Sequence, residues 1–220
     1  MIQIYSDPHY IEKFAIYGER HTGTKFLEES VRSTFSIDVT NFFGFKHWMG
    51  FAKPEKITYS NKGVLFFGTT RHPYDWLNSF FKLPHHVPKH NKNIFENFLL
   101  NEWYSIDPNK QEILQDRNFL TQPNCIRYKN IFELRKTKLS YLTLTMPMIA
   151  KNYVLTTYEF MTEYHDQFIY LISNRFALPK KGISSVPIIR PKISLDKNIK
   201  HIIDSHIDWS LESIFGYAPR

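Results

Sequence analysis

The alternation of apolar and polar stretches predicts strands that alternate with helices along the chain. Apolar runs of strand length occupy residues 13–18, 63–68 and 152–157. The run 63–68, GVLFFG, is apolar almost throughout, which is typical of a strand buried on both faces of a parallel sheet. We therefore predict an α/β fold with three layers, in which a mainly parallel central sheet carries helices on both faces and residues 1–220 form a single domain.

Apolar positions at helical spacing predict the helices. They favour a first helix over about 24–34, and Pro73, a residue suited to the first helical turn, begins a second helix that ends near Leu83. Further helices are predicted over about 94–104, 126–142, 163–176 and 196–215. The remaining stretches are predicted as a lead-in at 1–12, a strand or strand-loop kinked at Gly44 over 39–47, and turns over 54–63.

A polar loop joins the first predicted strand to the first predicted helix. Gly18 and Gly23 bracket it, and its polar side chains are Arg20, His21, Thr22, Thr24 and Lys25. Backbone N–H groups and the helix dipole at such a junction favour an anion. The glycine spacing is that of a nucleotide-kinase loop, but Thr24 precedes Lys25, which reverses the order that a kinase loop needs.

A second candidate site follows the buried strand at 63–68. Arg71 comes at the end of that strand, and Ser79 follows eight residues later within the predicted helix. An arginine fork and a hydroxyl near a helix N-terminus suit a phosphate monoester. Two structural alternatives stay open, namely an ion pair between Arg71 and Asp75 and a small packed residue at Ser79.

These motifs together resemble those of sulfotransferases that use 3′-phosphoadenylyl sulfate (PAPS). The family's 5′-phosphosulfate loop resembles GERHTGTKFL at 18–27, its 3′-phosphate motif resembles RHPYDWLNS at 71–79, and its third motif resembles the strand end before Tyr158. The resemblance implies a P-loop-like fold. It also implies that residues 20–25 hold the 5′-phosphosulfate and that Arg71 with Ser79 holds the 3′-phosphate. Tyr158 is then expected near the adenine, and the alternative is a half-buried tyrosine that closes the sheet.

Sulfuryl transfer needs a base for the acceptor and cations for the leaving group. The resemblance implies that Lys46 and His47 supply them, with His47 as the base because its ordinary pKa is near neutrality. Neighbouring strand residues face opposite ways, so this pair shares a site only if the strand has ended or bulged. A solvated strand end is the alternative reading of the pair, and Glu19 is the reserve base.

One position departs from the family's pattern. His21 stands where the family usually has lysine or arginine. The fixed positive charge of the loop is then expected from Arg20 or Lys25, or from His21 acting as a protonated donor. His21 therefore joins Lys46 and His47 among the candidate catalytic residues.

Composition narrows the class of ligand. The chain has 28 Lys+Arg against 21 Asp+Glu, a net charge of +7, which favours an anionic ligand. The single cysteine excludes an intramolecular disulfide. We expect no metal site, no specific nucleic-acid partner, no membrane span and no signal peptide, and hence a cytoplasmic protein.

The acceptor is expected to be a small molecule or a glycan that offers a hydroxyl or an amine. The acceptor site or its lid is expected in segments 84–110 and 178–195. Within the second segment, Lys180-Lys181-Gly182 resembles a basic segment that contacts the 3′-phosphate in the family. Charged side chains in solvent are the favoured alternative for these residues. Two other functions stay open. One is a P-loop kinase of a nucleotide or sugar, and the other is a non-catalytic basic protein that binds RNA or an acidic polymer.

Overall fold

A five-stranded sheet forms the centre of the molecule. The computed structural model describes residues 1–7, 10–47, 62–107, 109, 113–114, 127–182 and 194–220. In chain order the strands are β1 (Ile2–Tyr5), β2 (Lys13–Gly18), β3 (Asp38–Val39), β4 (Val64–Thr70), β5 (Ser105–Ile106), β6 (Ile113–Leu114) and β7 (Asn152–Thr157). The central sheet has the order β1-β7-β4-β2-β3, and β5 and β6 pair separately.

The central sheet is mixed. Strands β3, β2, β4 and β7 run parallel to their neighbours, and β1 pairs antiparallel with β7 at one edge. The predicted α/β class is therefore confirmed. The prediction of 1–12 as a lead-in misses β1, which pairs along its whole length with β7. This long-range contact has no local signal in a four-residue strand.

The helices connect and cover these strands. They are α1 (Thr24–Thr34), α2 (Pro73–Lys82), α3 (Phe95–Leu100), α4 (Ile131–Ser140), α5 (Met146–Ile149), α6 (Tyr158–Glu163), α7 (His165–Arg175), α8 (Lys197–His206) and α9 (Trp209–Ser213). A 3₁₀ turn at Lys89–Asn91 and a π turn at Tyr141–Thr145 complete the regular structure of the described ranges. No helix in those ranges has the length and apolar character that a membrane span needs.

Several predicted boundaries are wrong for local reasons. Of the strand or strand-loop predicted over 39–47, only Val39 is strand, and the chain then turns. Phe43 is buried in the core there, and its carbonyl accepts a hydrogen bond from Tyr17 Oη at 2.9 Å. The helix predicted from 126 begins at Ile131, where Asn130 caps the first turn, and the closing helix predicted over 196–215 breaks where Asp208 caps α9.

The helices predicted over 94–104 and 163–176 also differ from the observed ones. The first ends at Leu100, and the second is preceded by α6, with a break at Tyr164. The turn region predicted over 54–63 lies mostly outside the described residues.

Each face of the sheet is covered by its own apolar cluster. Phe14, Leu65 and Phe67 point to a cluster that includes side chains of α1 and α7. Phe66 and Tyr153 point to the other face, where side chains of the π turn and the C-terminal residues pack. With both faces covered, the ends of the strands are where polar residues meet solvent. Helices α1, α2 and α6 begin at the carboxyl ends of β2, β4 and β7 respectively.

Candidate functional site

A cleft of about 430 Å³ opens at the carboxyl ends of the three central strands. Its lining contains Arg20, His21, Gly23, Thr24, Lys25, Phe26, Lys46, His47, Arg71, Leu83, His85 and Tyr158. The strand register explains this convergence: Gly18 pairs with Thr69, and Thr70 pairs with Thr157. The loop after Gly18, Arg71 and Tyr158 therefore leave neighbouring strands at nearly the same level. Of the predicted nucleotide-binding residues, Thr22 and Ser79 are buried and are not part of this lining.

The loop between β2 and α1 turns its carbonyl groups toward the protein. The carbonyl of Glu19 accepts from Thr22 Oγ1 at 2.7 Å. The carbonyl of Arg20 accepts from Trp76 Nε1 at 2.8 Å, and that of Thr22 accepts from Thr69 Oγ1 at 3.0 Å. Helical bonding begins only with the N–H of Leu27, which donates to Gly23. The preceding N–H groups of α1 therefore face the cleft end of the helix, where an anion is favoured.

Gly23 is required at the start of α1 for two reasons. Its φ of 88° lies in the left-handed region that side chains disfavour. A Cβ placed there would lie only 2.5 Å from Cδ2 of Tyr158, so the tyrosine ring sits directly on the glycine. The close contact fixes the position of the Tyr158 ring beside the helix N-terminus.

Arg71 is a buried cation held between Ser79 and Tyr158. The residue is 6% exposed, and its Nη1 donates to Ser79 Oγ at 2.9 Å. Its guanidinium carbon lies 4.7 Å from the centroid of the Tyr158 ring. Arg71 Nε has no hydrogen-bond partner among the described residues, whereas Asp75 forms an ion pair with Arg220. Arg71, which lines the cleft, therefore retains an unused donor, and Ser79 orients its guanidinium from behind by accepting from Nη1.

His47 has a neutral ring whose Nε2 can accept a proton. Its Nδ1 lies 2.7 Å from the carbonyl of Gly18, which can only accept, so Nδ1 carries the proton and Nε2 carries the lone pair in the neutral ring. Burial lowers the pKa of His47 to about 4, although the Glu19 carboxylate acts in the opposite direction. The ring is neutral at pH 7.

Lys46 and His47 both line the cleft because the strand has already ended at Val39. Lys46 and His47 can therefore share a site, because the strand has ended before them. Lys46 Nζ lies 3.6 Å from Glu28 Oε2 and remains partly exposed, with its side chain 21% accessible. It is a cation at the rim beside the neutral imidazole.

Glu19, the reserve base, is buried beneath the loop in two ion pairs. Its Oε1 accepts from Arg20 Nε at 2.7 Å, and Oε2 accepts from Lys138 Nζ. Burial alone would raise the pKa of Glu19, but the charges of Lys138 and Arg20 hold it well below its usual range. Glu19 is committed to these ion pairs and does not line the cleft, whereas His47 does, so the geometry favours His47 over Glu19 as the base.

His21 is neutral and structurally engaged. Its ring stacks on His85 with centroids 5.5 Å apart, and its Nε2 donates to the carbonyl of Leu83 at 2.9 Å. Burial is the main reason that the pKa of His21 falls to about 4. A protonated donor role at pH 7 is therefore disfavoured, and Lys25, exposed on the first turn of α1, is the better source of charge in the loop.

Two residues of the site were missed by sequence reasoning. Lys138 comes from α4, and no local pattern links it to Glu19, which lies 119 positions earlier in the chain. His85 lies in the predicted acceptor segment 84–110, where no motif singles it out; it lines the cleft, and its carbonyl accepts from Arg20 Nη1 at 3.0 Å. Both contacts depend on long-range folding rather than on a motif.

The second expected acceptor segment lies elsewhere in the part that is described. Lys181 donates its N–H to the carbonyl of Thr34 at 2.8 Å, at the C-terminal end of α1. The cleft is at the N-terminal end of α1, and about 15 Å separates the first and last residues of a helix of this length. This placement does not support a 3′-phosphate contact by Lys180-Lys181-Gly182, and 183–193 lie outside the described residues.

Comparison of the chain with protein-family models, with curated proteins and with solved structures found no match. The geometry of the cleft therefore carries the functional argument. In the described part of the chain, no group of three or more His, Cys, Asp or Glu side chains is placed to hold a metal ion.

Proposed function

We propose that this protein is a PAPS-dependent sulfotransferase, which moves a sulfuryl group to a hydroxyl or amine of a small-molecule or glycan acceptor. The observation that carries the proposal is a pair of separate anion sites on neighbouring strand ends. One is the N-terminus of α1, and the other is Arg71 with Ser79. Neighbouring strands are about 4.8 Å apart, so a single ligand with two phosphate-bearing groups can reach both sites.

The residues present fit such a nucleotide. Arg71 offers a buried Nε that has no partner in the described part of the chain, and the first N–H groups of α1 offer backbone donors. Tyr158 lies between the two sites, with its ring against Gly23 and Arg71, and presents an aromatic surface to a base. When bound, PAPS supplies the sulfuryl group and leaves as adenosine 3′,5′-bisphosphate.

Each cleft residue then has a chemical task. His47 Nε2 accepts the proton of the acceptor hydroxyl or amine, because its lone pair is available at pH 7. Lys46, Lys25 and the N–H groups of α1 stabilise the negative charge that collects on the leaving phosphate. Arg71 and Ser79 hold the 3′-phosphate, which fixes the nucleotide relative to His47.

The proposal includes a P-loop-like, three-layer architecture. Its support is the path of the chain from β2 through a glycine loop into α1, and the apolar clusters on both faces of the sheet. The antiparallel edge strand β1 makes the sheet mixed, and it lies beside β7, away from the loop between β2 and α1.

Sulfuryl transfer is tested with PAPS labelled on the sulfur and a panel of phenolic, amine and glycan acceptors. The label is expected in an acceptor with the wild-type protein, and His47→Gln should reduce its transfer by about 10²–10⁴-fold. His201→Gln is the matched control, because His201 is an exposed residue of α8. Transfer that His47→Gln leaves unchanged would contradict the assignment of the base.

Thermal denaturation separates this function from a kinase. Adenosine 3′,5′-bisphosphate should raise the melting temperature by mass action, since it binds only the folded cleft. A rise with ATP and Mg²⁺ but none with the bisphosphate would overturn the proposal and favour phosphoryl transfer. Salt-sensitive binding to RNA with no effect of the bisphosphate would instead favour a non-catalytic role.

A further inference from the structure

A buried lysine joins the loop of the anion site to the residue that carries the candidate base. Lys138 lies on α4 with its side chain 5% exposed. Its Nζ donates to the Glu19 carboxylate and also to the backbone carbonyl of His47, at 3.0 Å. An ammonium group this deeply buried needs such partners to offset the loss of its hydration.

Among the described residues, the contact with His47 joins two other hydrogen bonds that hold the backbone and ring of the 46–47 segment. The N–H of Gly18 donates to the carbonyl of Lys46 at 3.0 Å, and His47 Nδ1 donates to the carbonyl of Gly18 at 2.7 Å. Both of these bonds come from the end of β2. The third, from Lys138, comes from α4 and holds the His47 backbone itself.

Neutralisation of Glu19 does not by itself explain this arrangement. Oε1 of Glu19 already accepts from both the backbone N–H and Nε of Arg20, each at 2.7 Å. Pairing with Oε2 would satisfy the charge of Lys138 without a contact to His47. The additional bond to the carbonyl of His47 is what connects α4 to the candidate base.

We propose that Lys138 is a positioning residue, which holds the His47 backbone so that its imidazole keeps the Nδ1–H bond to Gly18 and presents Nε2 to the cleft. The catalytic meaning of this role rests on the proposed function. The positioning itself is a property of the protein alone. The charged groups that act on the His47 ring are Glu19, Arg20 and Lys138, and all three belong to this network.

Hydrogen exchange of the His47 Nδ1 proton, followed by NMR, tests the positioning without turnover. The comparison is between Glu19→Gln and the double variant Glu19→Gln with Lys138→Met, because Arg20 loses its carboxylate partner equally in both and the two variants differ only at Lys138. Glu19→Gln should keep the protected Nδ1 proton, since Lys138 can still donate to His47. The double variant should exchange at least about tenfold faster. Lys136→Met on the same helix is the control, since Lys136 is 63% exposed and pairs with Asp208.

The outcomes are distinct. Equal protection in the single and double variants would overturn the proposal, because Lys138 would then serve only to balance Glu19. A double variant that fails to fold while Glu19→Gln folds would also overturn it, since Lys138 would then be needed for general stability. If transfer is detected, the double variant should lower kcat on the order of 100-fold relative to Glu19→Gln with little change in the KM for PAPS. Absence of transfer in the wild type would defeat the proposed function and leave the exchange result intact.

Discussion

Replacing Arg71 by methionine should weaken the binding of adenosine 3′,5′-bisphosphate much more than replacing Ser79 by alanine. The guanidinium is buried, oriented by Ser79 and stacked on Tyr158, so it needs little reorganisation to meet a phosphate. Hydrogen bonds to a charged group contribute about 1.5–3 kcal/mol each, and a bidentate contact makes two of them. The expected loss is about 3–6 kcal/mol, or roughly 10²–10⁴-fold in Kd. Ser79→Ala should cost about 1 kcal/mol, roughly fivefold in Kd.

Calorimetric titration with two nucleotides measures this directly. Adenosine 5′-monophosphate lacks the 3′-phosphate that Arg71 is proposed to hold. It should therefore bind the wild type more weakly than the bisphosphate does, and Arg71→Met should hardly affect it. Arg127→Met is the matched control, because Arg127 is an arginine with a 48% exposed side chain that pairs with Glu102. Methionine keeps most of the apolar contact with Tyr158, so the measured loss reports on the charge.

The dependence on the ligand is what can refute the reasoning. Equal weakening of both nucleotides by Arg71→Met would mean that Arg71 supports the cleft in general rather than the 3′-phosphate. No weakening of either would remove Arg71 from the site.

Three further outcomes are expected. Acceptor sulfation should be constant near neutral pH and fall through an acid limb near 4, the pKa of His47, because only the neutral ring accepts a proton. Gly23→Ala should lower the free energy of unfolding by about 1–2 kcal/mol, since a left-handed alanine is strained, and chemical denaturation measures this loss. The same variant should weaken bisphosphate binding in a calorimetric titration, because its Cβ displaces Tyr158. Thermal stability should decline as the pH falls from 6.5 toward 4, because burial lowers the pKa of His21, His47 and His72 to about 4 and these rings bind a proton in this window only when unfolded. His47→Gln should remove the His47 share of that slope and leave the rest.

The strands and helices that build the cleft were predictable because their signals are local. The run 63–68 is apolar enough to be buried on both faces, and β4 is buried along its whole length. Pro73 at the first turn of α2 and Gly23 before α1 mark helix starts that the structure confirms. The residues just after these strands met at one edge of the sheet, as expected for parallel strands.

The remainder depended on contacts that sequence spacing does not encode. Strand β1 exists only because β7 offers a partner. The turn after Val39 goes with the burial of Phe43 against the sheet, where Tyr17 donates to its carbonyl, and it brings Lys46 and His47 to the cleft. The pairing of Glu19 with Lys138 joins segments far apart in the chain, so a residue that looked like a second base proved to be buried in ion pairs.

A crystal structure of the protein with adenosine 3′,5′-bisphosphate tests most directly whether the cleft is a two-phosphate nucleotide site. The 3′-phosphate should lie within hydrogen-bond distance of the Arg71 guanidinium and Ser79 Oγ. The 5′-phosphate should contact the N–H groups at the start of α1, and the adenine should lie beside Tyr158. A nucleotide bound with its two phosphates exchanged, bound outside the cleft, or not bound at all would contradict the proposed function.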